Sequence, residues 1–282
     1  MDLGIAHGIY TSNTNGTING VNNGVIHGTA NGVYNEVNYI DPNAQAFILA
    51  ARITNMMQKS AINNLVKSLK SAGIWSKCNA IYPFVGGNER SHSFNLINTA
   101  QYQLTFFGGW THARTGATPN GTNGYADTFL NAFNDLTNSS NHLSYYSRTS
   151  TVGVTVEMGV SNGAGTNFVH LRSAVNYVAG GVVILALTNV SAAGLYMGSK
   201  TAANSRKGYR NGVNVSTSTT NDTTAYPSLK IALGARNDNG TYAFFTDKEC
   251  AFASIGSGLT DAEAATLYTI VQTYQTLLNR NV

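Results

Sequence analysis

"TYAFFTDKECAFASIG" (residues 241–256) belongs to a series of short runs rich in Val, Ile, Phe and Tyr. The series extends from about residue 74 to 255. It includes "QYQLTFF" (101–107), "HLSYYSRT" (142–149), "VGVTVEMGV" (152–160), "GLYMGSKT" (194–201) and "LKIALGARN" (229–237). Gly, Asn and Ser separate the runs, which recur about once per dozen residues. Apolar segments too short for helices, punctuated by turn formers, predict a mainly β chain folded as an antiparallel sandwich of two stacked sheets. "YRNGV" (209–213) carries a hairpin Asn-Gly at its centre, and "ARNDNGTY" (235–242) reads as a hairpin tip with a local Arg236–Asp238 charge pair.

Helical patterns flank this region. "DPNAQAFILAARI" (41–53) offers Asp41 as N-cap and Pro42 at the first helical position. Ala61, Ile62, Leu65, Val66 and Leu69 then recur at helical spacing up to Gly73. Residues 41–73 are therefore expected to form a helical connector, and 74–282 the sandwich with a terminal helix. That last helix opens on a capping box of Thr260 and Glu263. Ala264, Leu267, Ile270, Val271, Tyr274 and Leu278 line its apolar face.

Before residue 40 the pattern is different. "NGTINGVNNGVIHGTANGVYNEV" (15–37) places Gly16, Gly20, Gly24, Gly28 and Gly32 in strict step, with Val21, Val25 and Val33 after three of them. Asn-Gly favours a turn at each repeat. One small apolar residue per tetrad cannot bury a core alone, so the segment is either a disordered linker or a thin element completed by neighbouring molecules, and the strict phase of the glycines favours the second. Residues 1–40 read as a docking and oligomerisation segment, and closed rotational symmetry is the default for self-association.

Charged residues make up only 11% of the 282, with 17 Lys and Arg against 13 Asp and Glu and no basic stripe. Nucleic-acid binding, which needs clustered cations, is not expected. "GGVVILAL" (180–187) is the longest apolar run and far too short to cross a bilayer. The first ten residues lack a basic n-region and an apolar stretch, so no signal peptide is expected. Cys78 and Cys250 are expected as buried free thiols, a single bridge being the alternative.

Four stretches carry a resemblance: "AINNLVKSLKSAGIWSKCNAIYPFVGG" (61–87), "GGWTHARTGATPNGTNGYADTFL" (108–130), "HLSYYSRT" (142–149) and "FASIGSGLTDAEAATLYTIVQTYQTLLNR" (252–280). They resemble a family of bacteriophage virion proteins found in fibres, spikes and head or tail decorations. The resemblance spans residues 46–282 and implies a concanavalin A-like jelly-roll sandwich with flanking helices. It makes the glycine tetrads an anchor to capsid or tail proteins on the virion surface. A trimer follows from the fibre analogy.

Catalysis is not expected. Retaining glucanases of that fold place three carboxylates on one strand as Glu-x-Asp-x-Glu, and Glu36, Glu89, Glu157, Glu249 and Glu263 form no such pattern. Asp247 and Glu249 are expected to share a strand face as a solvated end or a calcium ligand pair. The six histidines show no metal-ligand spacing, and no cofactor or metal is expected. Glycan binding is the alternative function. Trp110, His112, Arg114, Asn120, Asn123, Tyr125 and Asp127 are expected in one long loop, where rings stack on sugars and planar polar groups reach hydroxyls. The competing reading packs Trp110 over backbone and buries Tyr125 in the core.

Overall fold

The run at 241–256 changes sheets partway along. In a computed structural model, which describes residues 18–22, 25–30, 33–34, 40–162, 168–171, 176–177, 185–186 and 191–282, its first part is β19 (Thr241–Ala243) and its last is β20 (Cys250–Gly256). Asp247 and Glu249 fall between the two strands, so the expected shared strand face does not form. Glu249 instead pairs with Arg148 at 2.8 Å.

β19 belongs to a nine-stranded sheet. Its path runs β13 (Leu185–Ala186), β12 (Asn176–Tyr177), β11 (Phe168–Leu171), β10 (Met158–Ser161), β17 (Lys230–Leu233), β8 (Tyr125–Asn131) and β5 (Thr105–Phe107). β18 (Arg236–Asp238) joins β19 to β10 through a parallel pairing; the other pairings are antiparallel. β20 lies in an antiparallel eight-stranded sheet. That path is β16 (Val213–Ser218), β15 (Ser205–Arg210), β14 (Gly194–Ala202), β9 (Asn141–Ser147), β20, β7 (Gly116–Pro119) and β6 (Trp110–Ala113), with β4 (Cys78–Tyr82) also on β20. Both Asn-Gly dipeptides make the tight turns read from sequence: Asn211 and Gly212 have φ of 50° and 76°, Asn239 and Gly240 of 54° and 90°.

The two sheets face each other as a β-sandwich. Tyr82, Leu143, Tyr145, Tyr196 and Ile255 from one meet Ala126, Leu130, Met158, Val160, Ile231 and Leu233 from the other. The opposite face of the eight-stranded sheet supplies Ile81, Tyr146, Leu195, Met197 and Phe252 to a second core. Helices α1 (Pro42–Ala50), α2 (Met56–Ser71) and α5 (Asp261–Leu277) close it with Phe47, Ile62, Leu65, Val66, Leu267, Val271 and Tyr274. Residues 41–73 are thus a packed layer rather than a connector, because both apolar helix faces find the same sheet surface. Pro42–Val282 form one compact unit. Two short helices, α3 (Glu89–Ser93) and α4 (Ala132–Asp135), lie in connections. Cys78 and Cys250 are buried and free, one in each core.

Met1–Asp41 form a separate unit. β1 (Ile18–Asn22), β2 (Val25–Ala30) and β3 (Val33–Tyr34) pair antiparallel in that order. Gly20, Val21, Val25, Gly28 and Val33 lie on these strands. Gly28 is a ladder position opposite Ile18, and Gly20 lies within β1 where the register shifts, so neither is at the expected turn. Gly16, Gly24 and Gly32 lie outside the described residues.

One side chain ties the layers of the larger unit together. Arg280, 1% exposed, follows α5 and lies over the Tyr274 ring. Its Nε donates to Gln275 Oε1 at 2.6 Å, Nη1 to the carbonyls of Phe84, Arg114 and Thr115, and Nη2 to those of Pro83 and Ala251. Among the described residues no carboxylate bonds to it; carbonyl dipoles stabilise the desolvated cation. Arg280→Met is expected to cost about 3 kcal/mol or more, since it orphans several buried carbonyls at once. Thr260→Ala, which removes only the α5 cap, should cost about 1 kcal/mol. Urea unfolding of the two variants checks that order.

Candidate functional site

The stretch expected as one long loop is a hairpin followed by a strand. β6 and β7 pair Trp110 with Pro119 and His112 with Ala117, and Tyr125 opens β8. The seven expected site residues are consequently split between two sheets. Most of them hold the local structure. The Trp110 indole donates to the carbonyls of Phe107 and Tyr125 at 3.1 and 3.2 Å. Its ring lies on Gly234, where a Cβ would come within 2.9 Å of it. Packing over backbone is therefore the reading that holds for Trp110, and Gly234 is the backbone concerned.

Asn120 Oδ1 accepts from the amides of Thr122, Asn123 and Gly124, and Asn123 Oδ1 accepts from Gly109 N. Both amides build the turn between β7 and β8. Arg114 is exposed at the β6–β7 turn, and its carbonyl accepts from Arg280. Asp127 is buried, pairs with Lys230 at 3.0 Å and accepts from Phe129 N at 2.7 Å. His112 turns toward His92 of α3, their Nδ1 atoms 2.9 Å apart.

Tyr125 alone of the seven sits in a surface that the sequence did not reveal. Cross-strand pairing puts Phe107 of β5 directly opposite it, and the rings stack with centroids 4.9 Å apart. Tyr242 of β19 stacks on it at 3.6 Å and 16°. Phe107 stands on the edge strand and is 42% exposed. Among the described residues neither the Tyr125 nor the Tyr242 hydroxyl has a partner, whereas those of Tyr82, Tyr145 and Tyr274 donate to carbonyls. Burial, then the Asp127 charge, pushes the Tyr242 hydroxyl up to about 12, so it stays a donor at neutral pH.

Two further phenylalanines lie beside these strands. Phe129 in β8 and Phe244 just after β19 are 45% and 41% exposed and hold φ of 58° and 56°. A bulky side chain in left-handed backbone is costly, and such strain clusters at functional surfaces. Each ring carries a cation: Lys230 Nζ lies 4.1 Å from the Phe129 centroid and the Arg236 guanidinium 4.3 Å from that of Phe244. Each cation is in turn paired, Lys230 with Asp127 and Arg236 with Asp238 at 2.6 Å. The cation–carboxylate pairs offset one another, leaving aromatic edges and two phenol groups among balanced charges.

Glu157, Glu249 and Glu263 are each committed to a cation. Glu157 is buried against Lys248 at 3.3 Å, both side chains 1% exposed. Glu263 caps α5 and meets Lys77. Among the described residues no three His, Cys, Asp or Glu side chains gather as a metal set.

No family model matches the chain, and no curated protein matches it. Among solved structures it is similar to domain 4 of an extracellular GH43 arabinanase from Geobacillus stearothermophilus, solved with arabinotriose. The TM-score is 0.40 at 16% identity, over 68% of this chain and 98% of that one. It is also similar to the binding domain of botulinum neurotoxin serotype G (0.43, 13%, 70% and 51%). A sialidase variant from Trypanosoma rangeli scores 0.45 at 10% identity, over 75% and 39%. The chain thus spans about half or less of the neurotoxin and sialidase chains. At these scores the likenesses carry no argument about ligand or activity.

Two buried histidines (His92 beside His112, and His142 in β9) give the larger unit an acid response. Burial pushes His92 down to about 3, with His112 and Arg280 adding to the effect, and burial pushes His142 down to about 4. Both are protonated more readily in the unfolded chain, near 6.5. Their contribution to stability is therefore full above about pH 6.5 and declines as pH falls from there toward 4 and 3. Each is expected to add up to ~1.4 kcal/mol per pH unit to that decline. Unfolding free energies of wild type and His142→Gln between pH 7 and 4 check it, the variant showing the shallower slope.

Proposed function

We propose that this chain is a non-catalytic, lectin-like sandwich of the concanavalin A-like jelly-roll type. On this reading it binds glycan at the Phe107–Tyr125–Tyr242 face and is carried by a bacteriophage virion through its N-terminal repeat. The observation that carries the binding reading is the three-ring stack with an exposed end ring and two unpartnered hydroxyls. Apolar sugar faces pack on such rings while hydroxyls exchange hydrogen bonds with the phenols. The commitment of Glu157, Glu249 and Glu263 to cations favours binding over hydrolysis. The virion reading rests on the residue resemblance over 46–282 and on the phased glycines.

Glycan-array screening of residues 42–282 is the direct test. Tyr242→Ala and Phe107→Ala should each weaken binding about tenfold, in line with the loss of about 1.5 kcal/mol for one aromatic contact. Arg114→Ala should leave it unchanged. No retention of any sugar at millimolar concentration would end the glycan reading.

The 42–282 fragment holds its own two cores and is expected to fold alone while losing its place on the particle. Quantitative particle occupancy of full-length and truncated protein checks this. Equal occupancy would remove the docking role.

A further inference from the structure

The inner face of the eight-stranded sheet carries a charge imbalance that the function above does not use. Register places Asn141, Lys200, Arg206 and Ser218 in one row across β9, β14, β15 and β16. Lys200 and Arg206 are direct cross-strand neighbours, 0% and 1% exposed. Like charges in that position repel, and burial removes the water that would screen them. Among the described residues one carboxylate meets the pair: Asp222 Oδ2 takes Arg206 Nη2 at 2.9 Å, while its backbone carbonyl takes Lys200 Nζ at 2.7 Å.

The row is also short of acceptors. Among the described residues nothing accepts from the buried Arg206 Nε and Nη1, and Arg210 Nε, four residues along the same strand, is in the same state. Idle N–H groups on a buried guanidinium call for an acceptor, and the ammonium beside it makes an anionic oxygen the match. Lys200 shows the strain of the site: burial and then the Arg206 charge push its ammonium down to about 8.

We propose that this row is an anion site, where Arg206 and Lys200 hold a small oxyanion or a carboxylate against the inner face of β14 and β15. The ligand would supply the missing negative charge and accept from Lys200 Nζ and from one of the idle Arg206 nitrogens. It would be internal to the sandwich and so would act as a stabilising ligand.

Two readouts test this on the full chain. Extensively desalted protein is unfolded in urea, and released phosphate, sulfate, acetate and chloride are counted by ion chromatography. Unfolding is then followed against inorganic phosphate or acetate at fixed ionic strength, with chloride as the monatomic comparison. The expected outcome is either about one oxyanion or carboxylate released per chain, or a folding constant that rises about tenfold per tenfold anion above the Kd. Ser218→Asp places a carboxylate directly across from Arg206 and should abolish both signals while keeping the fold. Arg206→Gln should abolish them too. Anion-free wild type indifferent to phosphate and acetate overturns the proposal. So does a response, or a release, equal in wild type and Ser218→Asp.

Discussion

A guanidinium held by backbone carbonyls organises this molecule. Arg280 reaches five carbonyls on three separated stretches: Pro83 and Phe84 after β4, Arg114 and Thr115 at the β6–β7 turn, and Ala251 in β20. Those oxygens converge because the backbone leaves the regular ladder nearby; Phe84 itself has φ of 45°. The consequence is positional. The cation fixes the terminal helix to the sheet and pins the hairpin that carries Trp110 and His112. Trp110 packs edge-on against Phe106, whose neighbour Phe107 begins the exposed stack. A chain of rigid contacts thus runs from the α5 end to the outer face of the other sheet.

The remaining charges follow the same logic. The chain is poor in ionisable residues, yet Lys248, Glu157, Arg206, Asp222, Lys200 and Arg280 are all buried. A count of charges read from the sequence says nothing of where they lie. Here it hides the fact that much of the small supply works inside the sandwich and the outer surface is more neutral still. Buried pairs of this kind add little net stability over apolar packing, but breaking one is expensive. They constrain which strands can sit together.

Much of the fold was legible in the residues. Asn211-Gly212 and Asn239-Gly240 specify their turns by backbone chemistry, and Thr260 with Glu263 specifies a helix start; each is a local rule and each holds. The partition of strands between sheets was not legible, because "TYAFFTDKECAFASIG" satisfies strand propensity at both ends and nothing local marks the crossing. β6 and β7 escaped for another reason. Four-residue strands rich in Thr, Gly and His give too few periods to distinguish from a loop. At the site, Tyr125 was readable as a loop aromatic, whereas Phe107 and Tyr242 looked like ordinary strand residues. Their alternation, Phe107 exposed beside half-buried Phe106, was the available signal; its meaning depends on pairing between segments over a hundred residues apart.

The stack also limits what kind of recognition this face can offer. Tyr125 spends both ring faces on Phe107 and Tyr242, so no deep aromatic sandwich remains for a ligand. The outer face of Phe107, the ring edges and two phenol hydroxyls are left. Contacts of that size give weak binding per site, because association must first offset lost translational and rotational freedom. On the proposed reading, useful adhesion therefore requires several copies held together. A repeat segment that joins many chains to one particle would provide this through effective concentration without any added contact. The two halves of the proposal, a shallow binding face and a docking segment, are then mutually dependent: the shallow face gains useful avidity only where the anchor supplies neighbours.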